Sequence, residues 1–236
     1  MVSDRLQLLL PFPHAPRYDS RDFLPAASNR EALAWLDTDW PERRLALWGP
    51  GGCGKSHLLH IWAEQVGATM LAGQMLSDLD GVPDSGALAL DDADVVGSEP
   101  LLLHLLNTAR DRGLRVLLTS QTPPSRWPIA LPDLSSRLRA ISSVEIRPPD
   151  DALLAALLVH LLADRQLVVA QPVQAWLLTR LPRSPAALRD AVDRLNQASL
   201  AVGGKITRRL AAEVLAGDNE VSMSGDDPCI QPPGFL

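Results

Sequence analysis

The feature that most constrains this sequence is a glycine-rich segment, G-x-x-x-x-G-K-S, over residues 49–56. A short apolar run, Leu45 to Trp48, precedes it, and a helix-like segment from His57 to Gln65 follows it. A phosphate-binding loop needs this order of strand, glycine-rich turn and helix, because the free N–H groups of the helix then point at the anion. A glycine-rich turn that contains Lys-Ser by chance, the alternative, does not account for both flanks. The sequence therefore predicts a site for a nucleoside di- or triphosphate.

The residues of this loop have distinct predicted roles. Its glycines allow the backbone to approach the phosphates and to adopt positive φ. Lys55 is predicted to reach the β- and γ-phosphates, and the Ser56 hydroxyl to ligate Mg²⁺. The predicted nucleotide-binding residues here are Gly49, Gly51, Gly52, Cys53, Gly54, Lys55, Ser56 and His57.

A second apolar run, Gly86 to Leu90, ends in a pair of carboxylates about 35 residues after the loop. A buried strand that delivers carboxylates at its end is the Walker B arrangement. Asp91 is then predicted to hold Mg²⁺ through water, and Asp92 to orient or deprotonate the attacking water. A solvated, aspartate-rich turn is the alternative.

A third apolar run, Leu114 to Leu118, is followed by Thr119, Ser120 and Gln121. Polar side chains at the tip of a strand beside the phosphate loop can sense a γ-phosphate, and Ser120 is the residue predicted for that role. The alternative is a simple strand-end turn imposed by the two prolines that follow.

Composition limits the class of protein. Hydrophobic residues make up 46% of the 236, ample for a core, and the net charge of −6 argues against a direct nucleic-acid binder. Two cysteines, Cys53 and Cys229, give no disulfide framework and fit a reducing cytosol. No run approaches the roughly 18 apolar residues that a membrane helix needs, so we expect a cytoplasmic protein without a membrane partner.

The alternation of strands and helices predicts an α/β fold, with a parallel sheet and helices on both faces. We expect an N-terminal peptide over 1–19, a nucleotide-binding core over 20–148, a helical domain over 149–216 and a disordered tail over 217–236. The first core helix is predicted to begin after Ser28 or Asn29 and to run to about Asp37. Four helices are predicted after the core, over 152–162, 172–180, 185–202 and 207–215.

Taken together, a phosphate-loop core followed by a small helical lid resembles the AAA+ ATPases. Five stretches in order are similar to one branch of them, the family of the bacterial replication initiator DnaA. They are residues 22–29, 54–60, 104–107, 117–120 and 131–138, and the resemblance covers 20–216. It implies a P-loop AAA+ sheet with a helical lid, and ADP or ATP with Mg²⁺ as the bound cofactors.

Within that family the chain resembles the short regulatory homologues, the regulatory inactivators of DnaA. An initiator carries a DNA-binding helix-turn-helix domain after the lid, where about twenty polar residues stand here. The resemblance implies two partners, the DNA polymerase sliding clamp (its beta subunit) and the initiator DnaA. It also implies that DNA is contacted mainly indirectly and that copies of the chain can pack side by side.

The N-terminal peptide carries a separate indication of a partner. Residues 7–12 match the Q-L-x-L-x-[L/F] pattern by which many proteins dock on the bacterial sliding clamp. An extended segment can insert two apolar side chains into a pocket while the glutamine amide satisfies backbone groups at its rim. The alternative is an edge strand packed on the body. The predicted clamp-binding residues are Gln7, Leu8, Leu10, Pro11 and Phe12.

The resemblance also implies roles for single residues. Arg137 stands where the family places its arginine finger, which reaches the γ-phosphate of a neighbouring subunit; a surface arginine paired with Asp133 is the alternative. Phe23 and Leu24 stand where the family lines its adenine site.

Two positions depart from the family pattern. Ala186 stands where the lid supplies a sensor arginine, with Arg183 and Arg189 as the two substitutes available, and Gln121 stands where an aspartate is expected. Both departures favour weak intrinsic ATP hydrolysis, with an action mainly in trans.

The sequence therefore favours a regulator of chromosomal replication initiation that promotes hydrolysis of initiator-bound ATP and so limits initiation. Two alternatives stay open: an AAA+ adaptor of the helicase-loader type, and a nucleotide-gated scaffold that never hydrolyses ATP.

Overall fold

The computed structural model describes residues 23–202 and 206–216. It contains one five-stranded parallel sheet in the order β2-β3-β4-β1-β5. The phosphate-loop strand β1 is therefore an inner strand, paired with β4 and β5. The strands are β1 (Arg44–Trp48), β2 (Thr69–Ala72), β3 (Ala87–Asp91), β4 (Arg115–Ser120) and β5 (Ser142–Glu145).

Helices cover both faces of this sheet, as the sequence predicts. Side chains alternate along β1, so that Leu45 and Leu47 face one helical layer while Ala46 faces the other. The first layer contains α1 (Arg30–Leu36) and α2 (Lys55–Val66), and the second contains α3 (Glu99–Asp111) and α4 (Pro132–Ala140). Burial on both faces explains why the strands are apolar runs and not alternating ones.

The parallel arrangement gives the sheet two chemically different edges. Every strand ends at the same edge, where Trp48 leads into the glycine-rich loop and Asp91 and Ser120 close β3 and β4. The opposite edge carries the first residues of the strands, among them Arg44 and Arg115. Ligands of open parallel sheets bind outside the carboxyl ends of the strands, so the fold places the predicted residues of the phosphate site where such a site belongs.

A helical domain follows the sheet and has its own core. Asp150 caps its first helix by accepting a hydrogen bond from the Leu153 N–H at 2.7 Å. Buried leucines of these helices form one cluster, and Leu24 from the start of the chain packs against it. The helices are α5 (Asp151–Asp164), α6 (Gln171–Arg180), α7 (Pro185–Val202) and α8 (Arg208–Ala216), close to the predicted ranges.

Two local predictions need correction, and one strand was not predicted. Asn29 precedes α1 but does not cap its first turn; its side chain instead accepts from the Ala26 N–H and donates to the Leu24 carbonyl. The sequence places the last strand at Val144 to Arg147, whereas it lies at Ser142–Glu145, two residues earlier. Strand β2 was not predicted, because its four residues are all half-buried and follow no clear pattern. Among the described helices, none is long and apolar enough to cross a membrane.

Candidate nucleotide site

The glycine-rich loop has the geometry that a phosphate loop requires. Gly49 has φ 155°, and a Cβ there would overlap the carbonyl oxygen of Ile146, so no larger residue fits at the end of β1. Gly54 has φ 106° and directly precedes α2, so a left-handed residue turns the chain into the helix. The first N–H groups of a twelve-residue helix then lie at the mouth of the loop, where they can bind an anion.

Lys55 is the buried cation of the loop, only 6% exposed. Its ammonium group donates to the carbonyl oxygens of Gly49, at 2.8 Å, and Pro50, at 3.0 Å. The thiol of Cys53 lies 4.0 Å from the same nitrogen, and burial raises the pKa of that thiol. Lys55 is thus held within the loop by two backbone carbonyl oxygens, and phosphate oxygens are acceptors of the same kind.

Asp91 is the residue at which the two predicted nucleotide motifs meet. Its carboxylate accepts a hydrogen bond from the Ser56 hydroxyl at 3.1 Å and another from the Thr119 hydroxyl. Hydroxyl and carboxylate oxygens are ligands suited to Mg²⁺, which takes its remaining ligands from phosphate and water. The structure therefore brings together the two residues predicted to hold the metal, Ser56 and Asp91.

Asp92 follows in a left-handed conformation, with φ 49° and ψ 53°. Its backbone N–H donates to the Thr119 hydroxyl at 2.8 Å, which fixes the turn. Burial raises the pKa of Asp92, and the carboxylates of Asp91 and Asp94 raise it further while Lys55 opposes them. A carboxyl group with a raised pKa beside a metal-ligand pair is suited to act on water.

Ser120 does not reach this site. Its side chain is fully buried and donates to the Thr122 carbonyl at 2.7 Å. Thr119, the preceding residue, contacts both Asp91 and the turn at Asp92. The polar group predicted at the tip of β4 is therefore supplied by Thr119. The sequence contained a hint of this difference. Side chains of neighbouring strand residues point to opposite faces of the sheet, so only one of Thr119 and Ser120 can face the phosphate loop.

The predicted adenine-site residues lie beside the loop. Phe23 and Leu24 line one pocket together with the loop residues Gly52 to His57. Phe23 also packs edge-on against the His57 ring, with centroids 5.4 Å apart. The pocket combines apolar lining residues with the polar groups of the phosphate loop, and a nucleotide needs both for its base and its phosphates.

The helical domain closes this pocket from the other side. Arg189 lines it, and its guanidinium donates to Nδ1 of His57 at 2.8 Å, so His57 accepts through that nitrogen. Arg183 instead forms an exposed ion pair with Asp151. Of the two arginines that the sequence offers near Ala186, only Arg189 is therefore placed at the nucleotide pocket. It lies three residues further along the same helix, on the same face.

Arg137 lies away from this pocket. It sits on α4 near Arg44, the first residue of β1, whereas the phosphate loop follows the last residue of that strand. A five-residue strand separates the two places by roughly 16 Å. Glu99 fixes the start of α4 by accepting from the backbone N–H groups of Ala130 and Leu131. Within one chain, Arg137 cannot serve the nucleotide of its own loop.

Some predicted residues cannot be placed. The clamp-binding peptide (Gln7, Leu8, Leu10, Pro11 and Phe12) and the tail over 217–236 lie outside the described residues. Their roles stay predictions from the sequence.

Comparison with known proteins supports the fold. No protein-family model matches the sequence. Domain III of the replication initiation protein DnaA from Thermotoga maritima is similar, with a TM-score of 0.71 at 19% identity, over 87% of this chain and 98% of that one. AMPPCP-bound DnaA from Aquifex aeolicus has a TM-score of 0.59 at 19% identity, and the match covers 72% of this chain and 62% of that one. The R170A mutant of Thermotoga maritima RuvB has a TM-score of 0.62 at 15% identity, and the match covers 80% of this chain and 68% of that one. The chain therefore has the AAA+ P-loop α/β fold that DnaA domain III also has.

We expect Lys55→Ala to weaken ADP binding by about 10- to 100-fold. Hydrogen bonds to charged groups contribute roughly 1.5–3 kcal/mol each, and tenfold in affinity corresponds to about 1.4 kcal/mol. Isothermal titration calorimetry measures the effect. Glu64→Ala removes an exposed charge further along the same helix and should bind ADP like the wild type. Equal affinity of Lys55→Ala and wild type would exclude the loop as the nucleotide site.

We expect Asp92→Asn to stabilise the fold at neutral pH. The folded-state pKa of Asp92 lies above its ordinary value of 3.8, so the charged form is disfavoured in the fold and stability falls as pH rises through that pKa. The substitution removes this penalty, and asparagine tolerates the left-handed backbone. Because water screens a half-exposed carboxylate, the gain is only on the order of a few tenths of a kcal/mol.

Urea unfolding at several pH values measures this gain. The difference between Asp92→Asn and wild type should vanish below pH 3.8, where both side chains are neutral, and reach its plateau near neutral pH. Asp39→Asn makes the same substitution at an exposed position and is the matched control. A variant that is less stable than wild type at pH 7 would contradict the electrostatic account of this turn.

Proposed function

We propose that this chain is a nucleotide-binding regulator of replication initiation, similar to the regulatory DnaA homologue Hda, that promotes hydrolysis of ATP bound to the initiator. The AAA+ fold shared with DnaA domain III supports the family, and the AMPPCP-bound DnaA neighbour supports an adenine nucleotide as the ligand. The observation that carries the proposed mode of action is the position of Arg137 at the sheet edge opposite the phosphate loop.

The chain's own site fits an adenine nucleotide with Mg²⁺. Gly49 and Gly54 have the positive φ values that shape the loop, Lys55 supplies a buried positive charge, and Phe23 offers an aromatic surface in the same pocket. Ser56 and Asp91 would hold the metal, whose charge neutralises phosphate oxygens when it is bound. Asp92 would orient water. These residues make the nucleotide a bound cofactor that the lid can sense through Arg189 and His57.

Arg137 is proposed to act on a different molecule. AAA+ subunits that pack side by side would place the edge of one sheet against the phosphate loop of its neighbour. A guanidinium presented there stabilises the charge that develops on the transferred phosphoryl group, an effect worth about 10³–10⁵ in rate. This chain would supply Arg137, and the initiator would supply the ATP and the attacking water.

The sliding clamp is proposed as the second partner, on the strength of residues 7–12 alone. A short peptide of this kind binds with two apolar anchors and one amide, and so gives modest affinity. Docking on a clamp that encircles DNA would raise the local concentration of this chain near the initiator. DNA would then be contacted mainly through the clamp.

A non-hydrolysing scaffold is the second candidate, and one observation favours it. The lid position expected to hold an arginine is Ala186, and the nearby Arg189 donates to His57. A lid arginine that is engaged by the protein contributes less to the phosphates of the chain's own nucleotide. Under this alternative, nucleotide only sets the shape of the chain. Loss of Asp92 would then leave the function intact, whereas a true ATPase would lose it.

We expect the triple variant Gln7→Ala, Leu10→Ala, Phe12→Ala to lose clamp binding, because the two anchors and the amide together supply several kcal/mol. Surface plasmon resonance on purified clamp measures the affinity. Leu9→Ala changes the unconstrained position of the pattern and should bind like the wild type. If the triple variant and Leu9→Ala bind equally well, the peptide is not the docking segment.

We expect Arg137→Ala to bind ADP and clamp normally and to reduce initiator-bound ATP hydrolysis by at least a hundredfold. The assay is single-turnover phosphate release from preloaded initiator, with clamp on DNA present. Arg137→Lys should rescue poorly, because an ammonium lacks the planar fork of a guanidinium.

Arg139→Ala is the matched control for this experiment. Arg139 lies on the same helix, is exposed and does not line the surface around Arg137. Its substitution should leave hydrolysis unchanged. Full activity of Arg137→Ala would remove this residue from the mechanism and leave the scaffold as the better account.

A further inference from the structure

A basic pocket of about 430 Å³ lies at the edge of the sheet opposite the phosphate loop. It is formed by the start of β1, the end of α3, the turn before β4 and the second half of α4. We call it the arginine pocket. Its charged lining residues are Glu42, Arg43, Arg44, Arg110 and Arg137, so one carboxylate and four guanidinium groups face the cavity. The Arg110 guanidinium also forms an exposed ion pair with its neighbour Asp111 at 3.2 Å.

Arg44 is the unusual member of this set because it is buried, with 4% of its surface exposed. It forms an ion pair with Glu42 at 3.0 Å, and the Glu42 side chain is itself 59% exposed. Burial lowers the pKa of Arg44, Glu42 opposes that effect, and Arg137 and Arg110 add to it. A buried guanidinium among like charges is costly unless an anion compensates it.

Arg137 adds an unsatisfied donor to the same pocket. Within the part of the chain that the structure describes, its Nε is buried and has no hydrogen-bond partner. Buried polar atoms are nearly always paired, so an orphaned donor in a concave basic pocket indicates a position for an acceptor. The Nε and one terminal nitrogen of a guanidinium form the fork that binds two oxygens of one oxyanion.

The backbone beside the pocket is held in a strained form. Glu42 and Arg43 are consecutive non-glycine residues with φ of 49° and 58°. Residues in this region are uncommon, and they cluster where a site needs a particular direction of the chain. Here the turn delivers Glu42, Arg43 and Arg44 to one wall of the pocket.

We propose that the arginine pocket is a second oxyanion site that takes a compact polyphosphate, distinct from the phosphate loop of the same chain. The net charge of the chain is −6, so this concentration of guanidinium groups is local and not a bulk property. Each guanidinium group can donate two parallel hydrogen bonds to phosphate oxygens. Four such groups around one cavity therefore suit an anion that carries several oxygens in a small volume. The ligand chemistry is a di- or triphosphate group, and Arg110 and Arg44 bind it together with Arg137.

Two sources can supply such a group: a free polyphosphate in solution, or the terminal phosphates of a nucleotide held by a neighbouring AAA+ subunit. The second source extends the proposed role of Arg137 and rests on it. Binding of free polyphosphate requires neither the clamp nor the initiator, so it can be tested even if the proposed function is wrong.

The first arm of the experiment titrates pyrophosphate into the full-length chain by calorimetry. It is done with the phosphate loop saturated by ADP and Mg²⁺, and again in the Lys55→Ala background. We expect one site that weakens at least tenfold in Arg110→Ala and in Arg137→Ala, and is unchanged in Arg139→Ala. Glu42→Gln should tighten binding severalfold, because it removes the negative charge that lines the pocket beside Arg44. Thermal melting confirms that each variant is folded.

The second arm measures hydrolysis of initiator-bound ATP with Arg110→Ala, which leaves Arg137 in place. Pyrophosphate binding that depends on Arg110 and Arg137 supports a site open to free polyphosphate. Absent pyrophosphate binding, with hydrolysis slowed at least tenfold by Arg110→Ala and not by Arg139→Ala, supports the neighbour's nucleotide as the source. Wild-type behaviour of Arg110→Ala in both arms overturns the proposal.

Discussion

The carboxylate of Asp91 is the contact on which the nucleotide site depends. It accepts hydrogen bonds from Ser56 at the start of α2 and from Thr119 at the end of β4, so one side chain joins the ends of three segments. The Thr119 hydroxyl also accepts a hydrogen bond from the Asp92 N–H, so the same network positions the turn after β3. The predicted metal ligands and the predicted water-orienting residue are therefore held by one small network. Such a network is worth more than its separate bonds, because each bond polarises the next.

The second organising feature is the polarity of the parallel sheet. Phosphate-binding residues lie where the strands end, and arginines lie where the strands begin. One edge therefore carries the candidate nucleotide site of the chain, and the other presents guanidinium groups that we propose bind the phosphates of another molecule. Glu99 supports this second edge, because its carboxylate holds the loop that leads into the helix of Arg137. The proposed action in trans follows from this division of the molecule.

Much of the fold could be predicted from the sequence, since burial on both faces leaves long apolar runs and the helices of the lid keep a regular apolar spacing. Strand β2 was missed because a short, half-buried strand leaves no such run. Within the site, the glycines, Lys55 and Asp91 were predicted because a loop motif fixes their order along the chain. Thr119 was not distinguished from Ser120, nor Arg189 from Arg183, because the direction of a side chain in the fold cannot be read from these sequence positions. The arginine pocket was not predicted either, since its members come from separate segments that meet only at the sheet edge.

The inner position of β1 also has a consequence for how the protein is made. Its two neighbours in the sheet, β4 and β5, are both synthesised later, and the pairing partners of Leu45 are Leu117 and Ser142. All four pairings in the sheet are parallel, so none can form as a local hairpin. During translation the glycine-rich loop emerges before both partners of its supporting strand, which can pair with β4 only after Ser120 has left the ribosome and with β5 only after Glu145 has done so. Nucleotide therefore has no folded site to stabilise until the core is nearly complete, and the nascent chain depends on late, long-range contacts of the kind that fold slowly.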